Sequence, residues 1–431
     1  SWWSFSTKAI TPPVAFSKLL PANNAVNQST TPVLTWQAST GATSYAYCID
    51  TTNNNICDNN WVSTNANTSA TLLSGLTPNT AYYWQARATN NVGTTNADSG
   101  WHLFTTGTSL PNDFLESATT LTVPFKSSLN TISATIDSGT ENSCSPGAGF
   151  ASVWYKYTPA ANGKLYLDTL SSDYDTFIAV WRQTTPTNTL VTCNDDQYGT
   201  KQSAINLSVS ASTTYYIQIG HRNANTIPTQ TPSGNLSLQV RSFSDVLGNN
   251  GFWTYIESLK QSGITGGCAS SPDLLFCPGN SVTRAEMAVF LLRGIHGSSY
   301  TPPAVGSGTG FDDVAASHWA AAWVKQLAAE GITTGCGTNL FCPEAAVTRE
   351  QMAIFLLRAK HGSSYSPPSA AGVSGFSDVP GDYWAVDWIK QLATEGITSG
   401  CGGGNYCPGA NTTRDQMAVF IVRTFSLPLV P

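Results

Sequence analysis

The sequence is poor in charged residues, and this scarcity excludes several classes of protein. Only 11% of the 431 residues are Asp, Glu, Lys or Arg, well below the roughly 25% usual for soluble domains. The net charge of −6 leaves no basic surplus to meet the phosphates of a nucleic acid. Apolar runs are also short, and none approaches the roughly 20 residues of a membrane-spanning helix. Ser, Thr, Asn and Gly are abundant instead, which is typical of an extracellular protein rich in β-structure.

Catalytic motifs are also missing from the sequence. Two of the five histidines, His296 and His361, occupy equivalent positions in a duplicated segment. No G-x-S-x-G, H-E-x-x-H or phosphate-binding loop occurs. Paired carboxylates for glycoside chemistry stay open as an alternative, although caps and turns account for most of the acidic residues. We therefore predict no catalytic residues and no enzymatic activity.

One pattern returns three times in residues 243–427. Its clearest copy reads FDDV at 311–314, GITTGC at 331–336 and VTREQM at 347–352. A unit of about 65 residues that recurs with its aromatic, glycine and cysteine positions in register indicates a copied supersecondary element that packs against its neighbours. The copies span residues 243–297, 311–362 and 376–427.

Each copy encodes two helices. Ser317 is positioned to cap the first helix of the second copy. The apolar stripe of that helix comprises Trp319, Trp323, Val324, Leu327 and Ala328. Every second helix opens with a capping box, in which a Thr hydroxyl and a Glu or Gln side chain each satisfy a backbone N–H. The boxes begin at Thr283, Thr348 and Thr413.

The recurring F-x-D-V, W, G-I, F/Y-x-P and T-R-x-E/Q elements resemble the S-layer homology (SLH) family. The resemblance implies a helical unit that holds a secreted protein on a bacterial surface, usually by gripping cell-wall polysaccharide in grooves between repeats. By position it implies the groove residues Arg284, Arg349, Arg414, Trp319 and Trp384. We expect each Arg, at the first helical position, to point outward beside free backbone N–H groups and to meet an anionic sugar substituent. Helix capping and core packing are the alternative explanations.

The ten cysteines form neighbouring pairs. By proximity these are Cys48 with Cys57, Cys144 with Cys193, Cys268 with Cys277, Cys336 with Cys342, and Cys401 with Cys407. The last three pairs recur at the same place in each repeat, which favours local disulfides and an oxidising compartment. Zinc is the competing interpretation, but the C-x2-C spacing or nearby histidines that it needs are missing. Ordinary SLH members lack such pairs, and the first copy also has Gly251 where the others have tryptophan.

Two β-domains precede the repeats. Residues 14–107 contain seven short strand candidates separated by turn signals, with Trp36 as a core residue. The segment LTPNTAYYW at 76–84 resembles the fibronectin type III corner, with Tyr82 as its tyrosine. Residues 108–242 resemble the jelly-roll domains that follow the catalytic part of secreted bacterial peptidases, on the evidence of VWYKY, DTFIAV and CNDD. We predict strands there at 153–158, 164–169, 176–181, 204–209, 215–220 and 236–240.

Some of these jelly-roll relatives bind calcium, and no other cofactor is expected. The candidate ligands here are Asp113, Asp173, Asp175, Asp195 and Asp196, because Ca²⁺ prefers hard oxygen donors. Ordinary turn chemistry explains the Asn-Asp-Asp sequence equally well.

Residues 1–13 contain Trp2, Trp3 and Phe5 in an alternating pattern that predicts a β-strand. The pattern echoes residues 101–106, which close the next domain. We expect either the last strand of a preceding domain or a strand that pairs with a partner's open sheet edge. A loose terminal segment is the alternative.

Taken together, these patterns predict a multidomain chain: two all-β sandwiches, the first like fibronectin type III and the second like a jelly roll, followed by an α-helical triple SLH repeat at 243–431. We expect a secreted, extracellular structural protein of the cell surface that binds envelope polysaccharide or neighbouring subunits. One alternative is a self-assembling filament or lattice subunit joined by the N-terminal strand. Another is the non-catalytic C-terminal part of a larger secreted hydrolase.

Overall fold

The computed structural model describes residues 11–28, 30–72, 75–98, 100–108, 110–134, 150–184, 188–197, 199–221 and 234–430. The chain divides into two compact units. One comprises Ser1–Thr122 and Ser127–Leu238, and the other comprises Val123–Lys126 and Gln239–Pro431. The first unit consists of β-strands and the second mainly of helices. The predicted fold class is thereby confirmed, while the boundaries of the three predicted domains stay predictions.

Strands β1 to β9 belong to the N-terminal sandwich. They are β1 (Lys18–Leu20), β2 (Ala25–Gln28), β3 (Val33–Trp36), β4 (Ser44–Asp50), β5 (Val62–Asn65), β6 (Ser69–Thr71), β7 (Ala81–Thr89), β8 (Thr94–Asn96) and β9 (His102–Thr106). One sheet has the order β1-β3-β6, and the other has the order β2-β9-β7-β4-β5 with β8 paired to β7. Trp36, Trp84 and Phe104 are buried in its core. Three of the strands have only three residues each, which is too short for a clear period-2 signal.

The predicted tyrosine corner is present in this sandwich. The hydroxyl oxygen of Tyr82 accepts the backbone N–H of Thr77 at 2.9 Å. The Tyr82 ring stacks on Phe104, with the two ring centroids 5.8 Å apart. The corner therefore fixes the turn before β7 to the core.

Strands β10 to β18 form the second sandwich. They are β10 (Thr119–Thr120), β11 (Phe125–Asn130), β12 (Phe150–Tyr157), β13 (Gly163–Asp168), β14 (Thr176–Arg182), β15 (Thr189–Asp195), β16 (Ala204–Val209), β17 (Tyr215–His221) and β18 (Asn235–Arg241). The two sheets have the orders β10-β12-β17-β14-β15 and β11-β18-β13-β16. The six predicted strands correspond to β12, β13, β14, β16, β17 and β18. The Asn-Asp-Asp sequence at 194–196, for which turn chemistry was the alternative, contains the last two residues of β15.

Each repeat contributes two helices. They are α1 (Trp253–Gln261) and α2 (Arg284–His296) in repeat 1 (243–297), α3 (Ala321–Ala329) and α4 (Arg349–His361) in repeat 2 (311–362), and α5 (Val386–Thr394) and α6 (Arg414–Thr424) in repeat 3 (376–427). A single hydrophobic core runs through all three repeats. Among the described helices, none combines the length and apolar character needed to cross a membrane.

The first helix of repeat 2 begins later than predicted. Its N-cap is Ala320, with no side-chain cap, so the proposed Ser317 cap is wrong. A turn in which the Ala321 N–H donates to the His318 carbonyl precedes the helix. Trp319 lies in that turn and is 61% exposed, whereas Val324 and Leu327 are buried as expected.

Candidate functional site

The three repeats close into a ring around a cycle of backbone hydrogen bonds. The N–H of Val282 donates to Thr412 O at 2.9 Å, that of Thr412 to Val347 O at 2.8 Å, and that of Val347 to Val282 O at 3.0 Å. These residues immediately precede the second helix of each repeat. We name the contacts after the repeats that meet: the 1–2, 2–3 and 3–1 interfaces. The cycle makes the 3–1 interface as direct as the other two.

A disulfide loop precedes the second helix of each repeat. Three predicted bonds form in these loops: Cys268–Cys277, Cys336–Cys342 and Cys401–Cys407. The predicted bond Cys48–Cys57 of the N-terminal sandwich is also formed. Cys193 is also disulfide-bonded, while Cys144 lies outside the described residues. The Asp of each F-x-D-V element clamps its loop. Asp313, for example, accepts the N–H groups of Phe341 and Cys342 at 2.8 and 2.7 Å.

The expectation that the T-R-x-E/Q arginines point outward is wrong. The exposed fractions of Arg284, Arg349 and Arg414 are 4%, 3% and 3%. In each case Nε donates to a backbone carbonyl of the next repeat in the ring. The acceptors are Phe341, Tyr406 and Phe276, at 2.6, 2.7 and 2.7 Å respectively. Each arginine is therefore a buried cross-link between repeats, and a direct role in ligand binding stays a prediction.

Aromatic rings hold each buried guanidinium. Arg349 Cζ lies 4.9 Å from the centroid of Tyr406 and 5.4 Å from that of Phe420. Equivalent ring pairs flank Arg284 and Arg414. Burial lowers the pKa of all three guanidinium groups, and nearby acidic groups oppose the shift. Desolvated contacts of this kind stabilise a cation by about 2 kcal/mol.

The first N–H groups of these helices are not free, which also corrects the expectation. The Arg349 N–H donates to Ala410 O at 2.9 Å, and the Glu350 N–H donates to Pro408 O at 3.0 Å. The same pair of bonds recurs at the other two interfaces. Carbonyl groups of the following repeat thus accept the N–H groups that were expected to be free for an anion.

Only one of the three predicted capping boxes forms. Thr283 and Glu286 each accept the other's backbone N–H. At Thr348 and Thr413 no side-chain cap is made. Their hydroxyl groups contact the acidic side chain two residues on instead. Repeat 1 lacks that competing acid, because Ala285 takes its place.

The two predicted groove tryptophans lie at the surface. Trp319 and Trp384 are each 61% exposed, at equivalent positions before α3 and α5. Core packing therefore does not explain them. Each neighbours another ring: the centroid of Trp319 lies 5.7 Å from that of His318, and Trp384 lies 6.3 Å from Tyr383.

A second series of arginine contacts was not predicted. Arg293 lies over the Trp323 ring at 5.4 Å, and its Nη1 donates to Ile264 O at 3.0 Å. Arg358 over Trp388 and Arg423 over Tyr255 repeat this contact at the 2–3 and 3–1 interfaces. The signal was present in the sequence, because an arginine recurs in the last turn of every second helix.

Three of the five candidate calcium ligands converge. The carboxylate oxygens of Asp175, Asp195 and Asp196 lie within 4.8 Å of one another. Asp173 instead accepts two hydrogen bonds from Asn235, both at 2.7 Å. Asp113 is buried and does not belong to this group. The convergent three, which we call the three-aspartate cluster, offer the hard oxygen donors that suit Ca²⁺. The N-terminal residues Trp2, Trp3 and Phe5 lie outside the described residues.

The comparisons with known proteins agree with this architecture. Residues 310–353 and 375–418 match the S-layer homology domain, and residues 22–109 match the Rha78A-like, N-terminal immunoglobulin domain. Repeats 2 and 3 are therefore S-layer homology domains. Repeat 1 lies outside the matched residues but has the same two helices and ring contacts.

Several relatives share the repeat region. The chain is 27% identical to the cellulosome-anchoring protein of Acetivibrio thermocellus over 172 residues, which cover 39% of this chain and 38% of that protein. It is 32% identical to an endoglucanase of Bacillus sp. (strain KSM-635) over 117 residues, covering 27% of this chain and 12% of the enzyme. A solved Fn3-like protein from Clostridium thermocellum is 25% identical, with a TM-score of 0.17, and covers 22% of this chain and 93% of that one.

These matches identify an extracellular cell-surface protein and support an anchoring role. The similarity to the endoglucanase falls in the S-layer homology region. The chain spans 38% of the length of the anchoring relative and less of the endoglucanase.

Proposed function

We propose that the three repeats bind cell-envelope polysaccharide and so hold the two β-sandwiches at the bacterial surface, with no enzymatic activity. The observation that carries this proposal is the exposure of Trp319 and Trp384, 61% each, at equivalent positions of one ring. Large aromatic side chains usually bury most of their area, so a repeated exposed tryptophan indicates a contact surface. Sugar rings present flat C–H faces that such a surface accepts.

The ring holds these tryptophans on a rigid support. Backbone bonds close the ring, buried arginines cross-link it, and a disulfide pins the loop of each repeat. A preorganised surface loses little conformational entropy on binding, which raises its affinity for a given contact. The S-layer homology match and the anchoring relative support the same ligand class.

Co-sedimentation with isolated cell-wall material tests the proposal. The Trp319→Ala/Trp384→Ala variant should lose at least about 30-fold in affinity, since removing an aromatic hot spot typically costs about 2 kcal/mol. Trp61→Ala, a change on the N-terminal sandwich, is the matched control. Walls stripped of polysaccharide should capture none of the proteins. If the double variant sediments like the unmodified chain, the tryptophans do not form the binding surface.

Self-assembly is a second candidate function. Strands β5 and β15 lie at the ends of their described sheets, and both carry exposed apolar side chains. The exposed fractions are 46% for Val62, 36% for Leu190 and 40% for Val191. Apolar edge strands are templates for pairing with another chain, and the Trp2–Phe5 segment is the candidate strand to pair there.

The chain can also be the C-terminal part of a secreted hydrolase. The endoglucanase relative, which shares the S-layer homology region, favours this alternative. The intact mass of the protein isolated from its natural source tests it. A native polypeptide little longer than this chain would leave no room for a catalytic domain.

A further inference from the structure

The three interfaces of the ring are chemically unequal. We propose that the repeat unit has two polysaccharide-binding positions, at the 1–2 and 2–3 interfaces, and that the 3–1 interface is a structural closure that binds none. This inference rests on the proposed function and specifies where it resides. Three features of the 3–1 interface carry it, and Glu286 contributes to the first two.

The first feature is the partner of the buried arginine. At the 3–1 interface Arg414 Nη1 donates to Glu286 Oε1 at 2.6 Å, forming an ion pair whose side chains are 3% and 29% exposed. At the 2–3 interface Arg349 Nη1 meets the neutral amide oxygen of Gln416 at 3.0 Å. At the 1–2 interface the residue equivalent to Glu286 is Gln351, also neutral. Among the residues that the structure describes, Arg414 is therefore the one of these three arginines that forms a direct ion pair with a carboxylate.

The second feature is the number of carboxylates. The 3–1 interface combines Asp245 and Glu286 with Arg414, and Asp415 lies at the same interface because its N–H donates to Pro278 O at 3.1 Å. The 2–3 interface combines Asp378 and Glu350 with Arg349. The 1–2 interface combines Asp313 with Arg284. Glu344 lies at the same interface, because it follows Pro343, whose carbonyl accepts the Ala285 N–H. The Glu344 carboxylate pairs with His318 at 3.2 Å. Among the residues named for these contacts, the 3–1 interface thus has three carboxylates and each of the others has two, which disfavours an acidic glycan at the 3–1 interface.

The third feature is the missing tryptophan. Trp384 adjoins Tyr383, whose hydroxyl donates to Glu350 at the 2–3 interface. Gly251 occupies the equivalent position in repeat 1. Trp253 does not replace the missing ring, because it begins α1 and is only 2% exposed. The 3–1 interface therefore has no exposed indole at this position.

The position of Gly251 nevertheless has room for a side chain to begin. A Cβ built on Gly251 meets no other atom within 4 Å. Glutamine is also compatible with the Glu286 position, because repeats 2 and 3 carry Gln351 and Gln416 there. The substitutions Gly251→Trp and Glu286→Gln therefore give the 3–1 interface the residue types that the other two interfaces carry.

Isothermal titration of the full chain with soluble, single-site fragments of isolated cell-wall polysaccharide tests the inference. We expect two fragments per chain for the unmodified protein and one for either Trp319→Ala or Trp384→Ala. At the concentrations that saturate the unmodified chain, the double variant should show no measurable binding. The Gly251→Trp/Glu286→Gln variant should bind three. Thermal unfolding of each variant verifies that the ring remains folded.

The outcomes separate the two proposals. If the unmodified chain binds no fragment, the proposed function and the two-site inference both fail. If it binds three fragments, or if the double tryptophan variant keeps two, the function stands and the inference is overturned. A Gly251→Trp/Glu286→Gln variant that is folded but still binds only two would contradict the account of the 3–1 interface.

Discussion

Replacing Arg349 with Ala should lower the midpoint of thermal unfolding of the repeat unit. The substitution acts on stability, not directly on ligand binding. The guanidinium is 3% exposed and joins repeat 2 to repeat 3. Its Nε donates to Tyr406 O, its Nη1 donates to Gln416, and the rings of Tyr406 and Phe420 enclose it. Truncation removes all of these contacts at once and leaves a buried carbonyl without its donor.

The expected loss follows from these contacts. A hydrogen bond from a charged donor contributes about 1.5–3 kcal/mol, and a desolvated cation–π contact contributes about 2 kcal/mol. Since the desolvation of the charge is recovered in part, we expect a net loss of about 3–5 kcal/mol in the free energy of unfolding. For a unit of this size, the midpoint of thermal unfolding should fall by roughly 10 °C. Arg349→Lys keeps the charge but not the planar donor group, so its loss should be intermediate.

Differential scanning calorimetry and urea denaturation measure this loss. Lys360→Ala is the matched control, since Lys360 lies on the same helix and pairs with Glu395 at 2.9 Å near the surface. Surface pairs contribute about 1 kcal/mol or less, so the control should stay close to the unmodified protein. Suppose instead that Arg349→Ala changes the unfolding free energy by less than about 0.5 kcal/mol yet abolishes wall binding. The arginine would then be a surface ligand, and the reasoning from its burial would be refuted.

Three further predictions concern pH, calcium and assembly. Burial raises the pKa values of Asp313 and Asp378, but hydrogen bonds from loop N–H groups outweigh it and leave both below the usual 3.8. Their stabilising contribution is therefore present above that value and lost as the pH falls through the folded pKa values. Thermal unfolding between about pH 6 and pH 2.5 should show a falling unfolding midpoint, and the midpoint of Asp313→Asn should fall less steeply with pH. Calcium should raise the unfolding midpoint of the jelly-roll-like domain, and Asp195→Asn in the three-aspartate cluster should remove the effect; an unchanged midpoint with calcium excludes the site. Deleting residues 1–13 should leave monomers in light scattering if the N-terminal strand joins subunits, whereas undiminished assembly would rule out that role.

Local features of the sequence were sufficient to predict much of the fold. The disulfide Cys336–Cys342 spans only six residues, and its recurrence in register made the pairing clear. The Tyr82 corner bonds to Thr77 within the same short motif. The helix starts at Arg284, Arg349 and Arg414 follow from the preceding Thr residues, which have extended backbones. Each of these features depends on residues close in the chain.

The direction of the arginines depends on distant residues and was therefore missed. Arg349 bonds to Tyr406, 57 residues away, and Arg414 bonds to Phe276, 138 residues away. A helical pattern gives the position of a side chain on its own helix but not the surface that covers it. The same limit explains the wrong prediction for Trp319. The apolar stripe of the first helix was taken to include Trp319, but this residue lies in a turn that precedes the helix start at Ala321.

The 3–1 interface, which lacks an exposed tryptophan, has a structural function because it closes the ring. Glu286 caps α2 and pairs with Arg414, so one carboxylate both starts a helix of repeat 1 and holds repeat 3. Because the backbone cycle through Val282, Val347 and Thr412 joins all three repeats, we expect opening of the 3–1 interface to disturb the geometry of the other two. An internal ion pair stabilises that closure but occupies the charge that a ligand would need. The 3–1 interface thus maintains the shape of the two positions that we propose bind polysaccharide.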